Sequence, residues 1–134
     1  MSKRVFLYFE TMPKGTAQQK RYNGRTHTYF KDKKLMATEQ QFFFALKPYA
    51  PKVPSESPIR LHIWFYFDVK EKKKWGLPKT SKPDVDNFSK AFIDQMTRCG
   101  YWKDDSQITD LHIEKFYSEK ATIVYEWEEV QDEQ

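Results

Sequence analysis

Ile59-Arg60-Leu61-His62-Ile63-Trp64-Phe65-Tyr66-Phe67-Asp68-Val69 is the clearest strand in the chain. Ile59, Leu61, Ile63, Phe65, Phe67 and Val69 alternate with Arg60, His62, Trp64, Tyr66 and Asp68, the period of two that a pleated strand imposes. The first set makes a core face, and the second, with its two aromatics, a half-covered one. Upstream, Pro-Lys-Val-Pro-Ser-Glu-Ser-Pro (51–58) has the composition of a linker. Downstream, residues 70–82 carry Lys70, Lys72, Lys73, Lys74, Lys79 and Lys82 against Glu71 alone, with Trp75, Gly76 and Pro78 interposed. This reads as a mobile basic loop.

That loop leads into Lys82-Pro83-Asp84-Val85-Asp86-Asn87. Proline biases the residue before it towards extended backbone, and two acids spaced two apart on an extended segment point to one side. Asp84 and Asp86 are thus placed to share a cation. Asp86 and Asn87 suit the N-cap of a helix whose apolar positions are Phe88, Ala91, Phe92 and Met96, with Gly100 as its stop. Lys90 falls one turn beyond Asp86 on the same helix face. Asp104 and Asp105 follow; on an extended segment one of the two joins the site, with Gln107 on the side of Asp105. Asp104 stands as a supporting acid or a surface residue, and Asp94 and Asp110 as solvated or salt-bridged ones. Carboxylates without neighbouring thiols or imidazoles suit magnesium or manganese.

Pro-Asp-Val-Asp-Asn (83–87) with Lys90 three residues on, followed by Trp-Lys-Asp-Asp-Ser-Gln (102–107), resembles the RusA family of Holliday-junction resolvases. Gly24-Arg25-Thr26-His27 after Lys20-Arg21-Tyr22 is a shorter match to the same family, without the arginine-proline-arginine run of many relatives. The resemblance implies a magnesium-dependent endodeoxyribonuclease, a homodimer acting on four-way junctions, and Asp84, Asp86 and Asp105 as metal ligands with Lys90 assisting. A non-catalytic nucleic-acid-binding module and a less selective metal nuclease stand as the alternatives.

Outward from these motifs, Val5, Leu7 and Phe9 alternate with Arg4, Phe6, Tyr8 and Glu10 over residues 4–10, a first strand whose aromatics on both faces suit a central position. Residues 12–29 form a polar, basic loop or ribbon. Asp32 is placed to cap a helix to about Lys47 with Leu35, Phe42, Phe43, Leu46 and Tyr49 on its stripe, ended by Pro48 and Pro51. Phe44 lies off that stripe and is either a subunit contact or an isolated exposed residue. Residues 107–117 and 121–127 read as two strands of a hairpin through Ser118-Glu119-Lys120, with Leu111, Ile113, Ile123, Tyr125 and Trp127 as apolar positions. The order predicts an α+β domain: a mixed sheet of about four strands packed with two or three helices. It is divided as a nuclease domain over 1–128 and an acidic tail over 129–134.

The 134 residues fit one domain, and a net charge of +4 hides a more basic body. Glu126, Glu128, Glu129, Asp132 and Glu133 contribute −5, leaving +9 on residues 1–125. Such a body suits a polyanion, and DNA contacts are assigned to Lys14, Lys20, Arg21, Arg25, His27, Lys72, Lys73, Lys74, Trp75, Lys79 and Lys82. Trp75 among lysines suits stacking on an unpaired base. Single Cys99, helix-terminal and read as a buried small residue, excludes an internal disulfide and fits a reducing cytoplasm. No signal peptide or membrane span is expected, and no small-molecule cofactor. His27, His62 and His112 lie far apart without metal-ligand spacing, which argues against zinc.

Overall fold

The computed structural model describes residues 3–15, 20–25, 28–31 and 33–131. The elements are β1 (Lys3–Tyr8), β2 (Lys20–Asn23), β3 (Thr28–Lys31), α1 (Lys33–Leu46), β4 (Ile59–Asp68), α2 (Val85–Cys99), β5 (Ile108–Ser118) and β6 (Thr122–Glu129), with single 3-10 turns at Lys47–Tyr49, Lys72–Lys74 and Asp105–Gln107. β1, β6, β4 and β5 form one mixed sheet in that order, and β2 pairs with β3 in a separate antiparallel ribbon. The expected α+β architecture is what is observed. Asp32, expected to cap α1, lies outside the described residues, as do residues 132–134 of the acidic tail; β6 continues through Glu129.

Strand order departs from expectation at two points. Among the described residues β1 is an edge strand, paired only to β6, despite aromatics on both faces: Phe6 and Tyr8 are 47% and 73% exposed. The expected hairpin of the last two strands does not form. β4 runs between them, parallel to β5 and antiparallel to β6, with Asp68 opposite Ser118 and Tyr66 opposite Thr122. The short 119–121 connection therefore passes over the end of β4. β4 takes the interior because all its odd residues are buried and both its backbone edges gain partners; α2 supplies the crossover that parallel pairing of β4 and β5 requires.

Both helices cover one face. Ile59, Leu61, Ile63, Phe65 and Phe67 of β4 pack against Phe88, Ala91, Phe92 and Met96 of α2 and Leu35, Phe42 and Leu46 of α1. Ring centroids of Phe42 and Phe92 lie 5.1 Å apart, and those of Phe65 and Phe88 4.9 Å, both edge-on, the arrangement favoured by the aromatic quadrupole. Each buried phenylalanine contributes about 1.5–3 kcal/mol by area. Buried Tyr101 donates to Leu46 O at 2.7 Å and shares a hydrogen bond with Tyr125; burial first, then mutual proximity, pushes its phenol far above the ordinary range. Cys99 is buried as expected, with desolvation raising its thiol.

Gly100 ends α2 at φ 90°, with its N–H directed to Met96 O and Thr97 O, so its stop is the left-handed cap that glycine favours. Gly15 allows a close approach: a Cβ there would meet Lys34 O and Thr38 Oγ1 at 2.7 Å. Its own N–H donates to Thr38 Oγ1 at 2.8 Å, docking the 12–15 segment on α1. Phe44 stands 64% exposed, off the buried stripe as expected.

Candidate nuclease site

The sequence placed the N-cap of α2 at Asp86 or Asn87, and the helix starts earlier than either. Asp84, extended at φ −64° and ψ 140°, is the N-cap, and Asp86 lies within the first turn. Val85 explains the choice, since a start there continues the stripe Phe88, Phe92 and Met96 by a further turn. Asp84 and Asp86 are thus not on one extended segment. Both are exposed at the helix end where the backbone dipole favours negative charge. Asp84 makes no capping bond; its Oδ2 accepts from Asn87 Nδ2 at 3.4 Å. Lys90 sits one turn past Asp86 as expected, with Nζ 3.7 Å from Asp94 Oδ1.

Asp105 opens a 3-10 turn rather than an extended run. Asp104 caps that turn by accepting from Ser106 N, and Gln107 Oε1 returns to Lys103 N and Asp104 N. Gln107 Nε2 donates to Ser55 O and Ser57 O, so Gln107 ties the linker down and does not share the side of Asp105. The backbone amide of Ser106 holds Asp104 below the usual carboxylate range. Asp105 moves the other way: desolvation raises it first, then the hydrogen bond and charge of Asp104 and the charge of Asp94, with Lys90 opposing. Asp105 therefore belongs electrostatically with Lys90 and Asp94.

A groove of about 550 Å³ opens beside the N-terminus of α2, with Lys14, Lys34, Lys79, Lys82, Asp68 and Asp84 on its walls. The sequence reading had missed Lys34 and Asp68. Asp68 Oδ1 accepts from Met12 N at 3.1 Å and so pins the segment that carries Lys14. Lys79 is packed over Phe67 and Tyr117, with Nζ 5.1 Å and 4.9 Å from the two ring centroids. Desolvation lowers its amine, Tyr117 opposes, and Lys115, Lys14 and Lys74 add repulsion. These lysines line one groove together with Asp68 and Asp84.

The basic loop is hydrogen-bonded along the free edge of β5. Gly76 N donates to Tyr117 O at 2.8 Å, Tyr117 N to Leu77 O at 2.9 Å, and Lys79 N to Lys115 O at 3.1 Å. Trp75 is half-buried, its Nε1 donating to Val69 O at 2.9 Å, which sets its indole into the loop rather than out towards a base. Lys115, another residue missed in sequence, donates from Nζ to Ser81 O and Pro83 O, each at 2.8 Å. It thereby fixes the backbone immediately before Asp84. Its only sequence signal is a charge at an inward-facing position of a strand.

Of the residues assigned to DNA, Lys14, Lys79 and Lys82 share the groove, and Lys72 and Lys73 are exposed on the 3-10 turn. Lys74 pairs with Glu71 at 3.3 Å and lies 5.5 Å from the Tyr117 ring. Arg25 is exposed at the turn after β2; His27 lies outside the described residues, as do the side chains of Lys20 and Arg21.

Asp84, Asp86 and Asp105 supply only carboxylate oxygen, the donor chemistry that a hard divalent cation prefers, and Asp105 carries repulsion that a cation would offset. Among the described residues, however, the group of potential ligands that converges is a different one, His62, His112 and Glu114.

Residues 10–126 match the family described as Endodeoxyribonuclease RusA. A crossover junction endodeoxyribonuclease rusA of Lactococcus phage r1t is 44% identical over 73 residues, 54% of this chain and 56% of that protein. The uncharacterized protein YqaN of Bacillus subtilis (strain 168) is 30% identical over 135 residues, covering 87% of this chain and 89% of its own. A crossover junction endodeoxyribonuclease RusA of Escherichia coli (strain K12) is 34% identical over 55 residues, 41% of this chain and 46% of that protein. The chain spans about half the length of the endodeoxyribonucleases it matches. With the family match running from the end of β1 into β6, across the groove and both acidic motifs, this chain belongs to the RusA endodeoxyribonuclease family.

Proposed function

We propose that this protein is a structure-selective endodeoxyribonuclease that resolves four-way DNA junctions by paired symmetric nicks. The observation that carries the reading is the placement of Asp84 at the N-terminus of α2 on the wall of a lysine-lined groove, with Asp86 in the helix's first turn. Family membership implies a divalent metal ion, and we take it to be magnesium, with manganese as a substitute, held by Asp84, Asp86 and Asp105. When bound, such an ion polarises a phosphoryl oxygen and acidifies water.

The chain's own residues do the rest. Lys14, Lys79 and Lys82 draw a backbone phosphate into the groove beside Asp84, where Lys79 is partly desolvated and repelled by Lys14. Lys115 holds the Ser81 and Pro83 carbonyls and so positions Asp84. Lys90, 62% exposed and only loosely paired to Asp94, is free to turn towards the negative charge that develops as the bond from phosphorus to the 3′ oxygen breaks. Addition of water there leaves a 5′ phosphate and a 3′ hydroxyl. A two-fold homodimer matches the two-fold symmetry of a junction and sets one site against each of two opposed strands. We place the nuclease domain over residues 1–128 and the protein in the cytoplasm; no helix among the described residues is long and apolar enough to cross a membrane.

The test is cleavage of a labelled mobile four-way junction in magnesium, beside linear duplex, flap and single strand. Paired nicks confined to the junction support the reading. Binding without cleavage in magnesium or manganese would leave a binding module, and equal cleavage of all substrates a general nuclease.

A further inference from the structure

The parallel pairing of β4 with β5 sets His62 directly beside His112, and Glu114, two residues further along β5, on the same face. That face is the one turned away from the helices. His62 Nε2 lies 3.0 Å from Glu114 Oε1, His112 Nε2 lies 3.6 Å from the same oxygen, and the three ligand atoms all fall within 4.8 Å of one another. Bonds of about 2.0–2.2 Å in a tetrahedral zinc site put ligand atoms about 3.3–3.5 Å apart. The two separations to Glu114 bracket that value. We propose that His62, His112 and Glu114 form a second metal site, for zinc or a chemically similar divalent ion such as cobalt or nickel, separate from the carboxylates at the N-terminus of α2.

Two imidazoles and one carboxylate are the three-ligand set of zinc centres that leave a fourth position open, and they disfavour magnesium, which prefers oxygen alone. The surroundings single out this carboxylate from the other acids on the face. Arg4 takes Glu126 at 2.6 Å, and Arg60 takes Asp110 and Glu128, each at 2.9 Å. Glu114 instead faces the two histidines. The two imidazoles already lie side by side, the His62 ring stacked at 3.6 Å on Trp64 and at 4.3 Å on His112, and ligation asks for a turn of the rings from that stack. An ion here ties the outer strand β5 to β4. The residue beyond Glu114 is Lys115, so the tie bears on the strand that anchors Pro83.

The probe is zinc chloride, titrated by calorimetry into the Asp84→Asn/Asp86→Asn/Asp105→Asn protein so that the nuclease carboxylates do not contribute. One ion per chain is expected, with a zinc-dependent rise in Tm and, for cobalt, the visible absorption of a nitrogen-liganded tetrahedral ion. His112→Ala, at an exposed position that the fold does not need, should weaken zinc binding by about 100-fold, on the scale by which metal sites respond to loss of support. Glu114→Gln should do the same, and both should keep the wild-type far-ultraviolet circular dichroism. Magnesium-dependent junction cleavage by His112→Ala, measured in parallel, separates this site from the nuclease reading. Absence of stoichiometric zinc binding, or equal binding by the His112→Ala protein, overturns the proposal.

Discussion

The two faces of the sheet are built from alternate residues of the same strands, yet they pose different physical problems. On the inner face, Phe65 and Phe67 meet Phe88, and Phe42 meets Phe92, in a core with no buried side-chain polar atom left unpaired among the described residues. On the outer face, Arg4, Arg60, His62, Trp64, Glu114 and Glu126 meet in ion pairs and ring stacks that solvent reaches. The inner face is fixed by what each residue is, because apolar burial is non-directional and tolerates any neighbour of the right size. The outer face is fixed by who stands beside whom, since hydrogen bonds and metal ligation demand particular partners at particular distances. The two proposed sites divide along the same line, with hard carboxylates at the end of the helix on the inner side and imidazoles on the outer side.

The largest effect is expected from the inner side. Asp86→Asn should lower junction cleavage by roughly 10³-fold or more while junction binding in a gel-shift assay is retained, because the substitution removes charge without volume. Loss of binding together with loss of fold would sink the assignment. Next, Phe92→Ala should cost about 3–5 kcal/mol in urea unfolding, whereas Tyr8→Ala on the outer face should stay within about 0.5 kcal/mol of wild type. Comparable costs would show the outer face to be covered in solution, and sedimentation would then report the copy that covers it.

Smaller, and aimed at the connection between the faces, Lys115→Met should reduce cleavage by about 10-fold through misplacement of Asp84, by the logic that small shifts of positioning groups cost rate. Its junction affinity should change less than that of Lys79→Ala, and the reverse order would make Lys115 a phosphate contact instead. Lys79→Ala should weaken binding to all junctions alike and reduce the slope of log affinity against log salt by about 1. An unchanged slope would place the phosphate elsewhere.

What could be read in advance follows from the range of the interaction. The alternation from Ile59 to Asp68, the stripe of α2, its glycine stop and the i, i+4 placement of Asp86 and Lys90 are all set within a few residues, and each is present. The start of α2 was placed too late because Asp86 and Asn87 are by type as good caps as Asp84, and a start at Val85 extends the apolar stripe by a turn. The loop 76–79 looked free in sequence because nothing local reveals a hydrogen bond to Tyr117 some forty residues on. The most consequential difference is the missing hairpin. Proximity in sequence favours pairing of β5 with β6 and is silent on the register that sets β4 against β5, so the histidines looked unrelated.

The sequence by itself determined the composition of the core, the oxygen chemistry of the acids around α2, the basic body and the RusA kinship, because periodicity and short motifs are local and additive. Only the tertiary structure decided that β4 separates β5 from β6, that Lys115 holds the approach to Asp84, and that His62, His112 and Glu114 share one point. The physical reason is that strand order is chosen by the whole chain at once, through the burial of β4 on both edges, and no stretch of residues carries that choice alone.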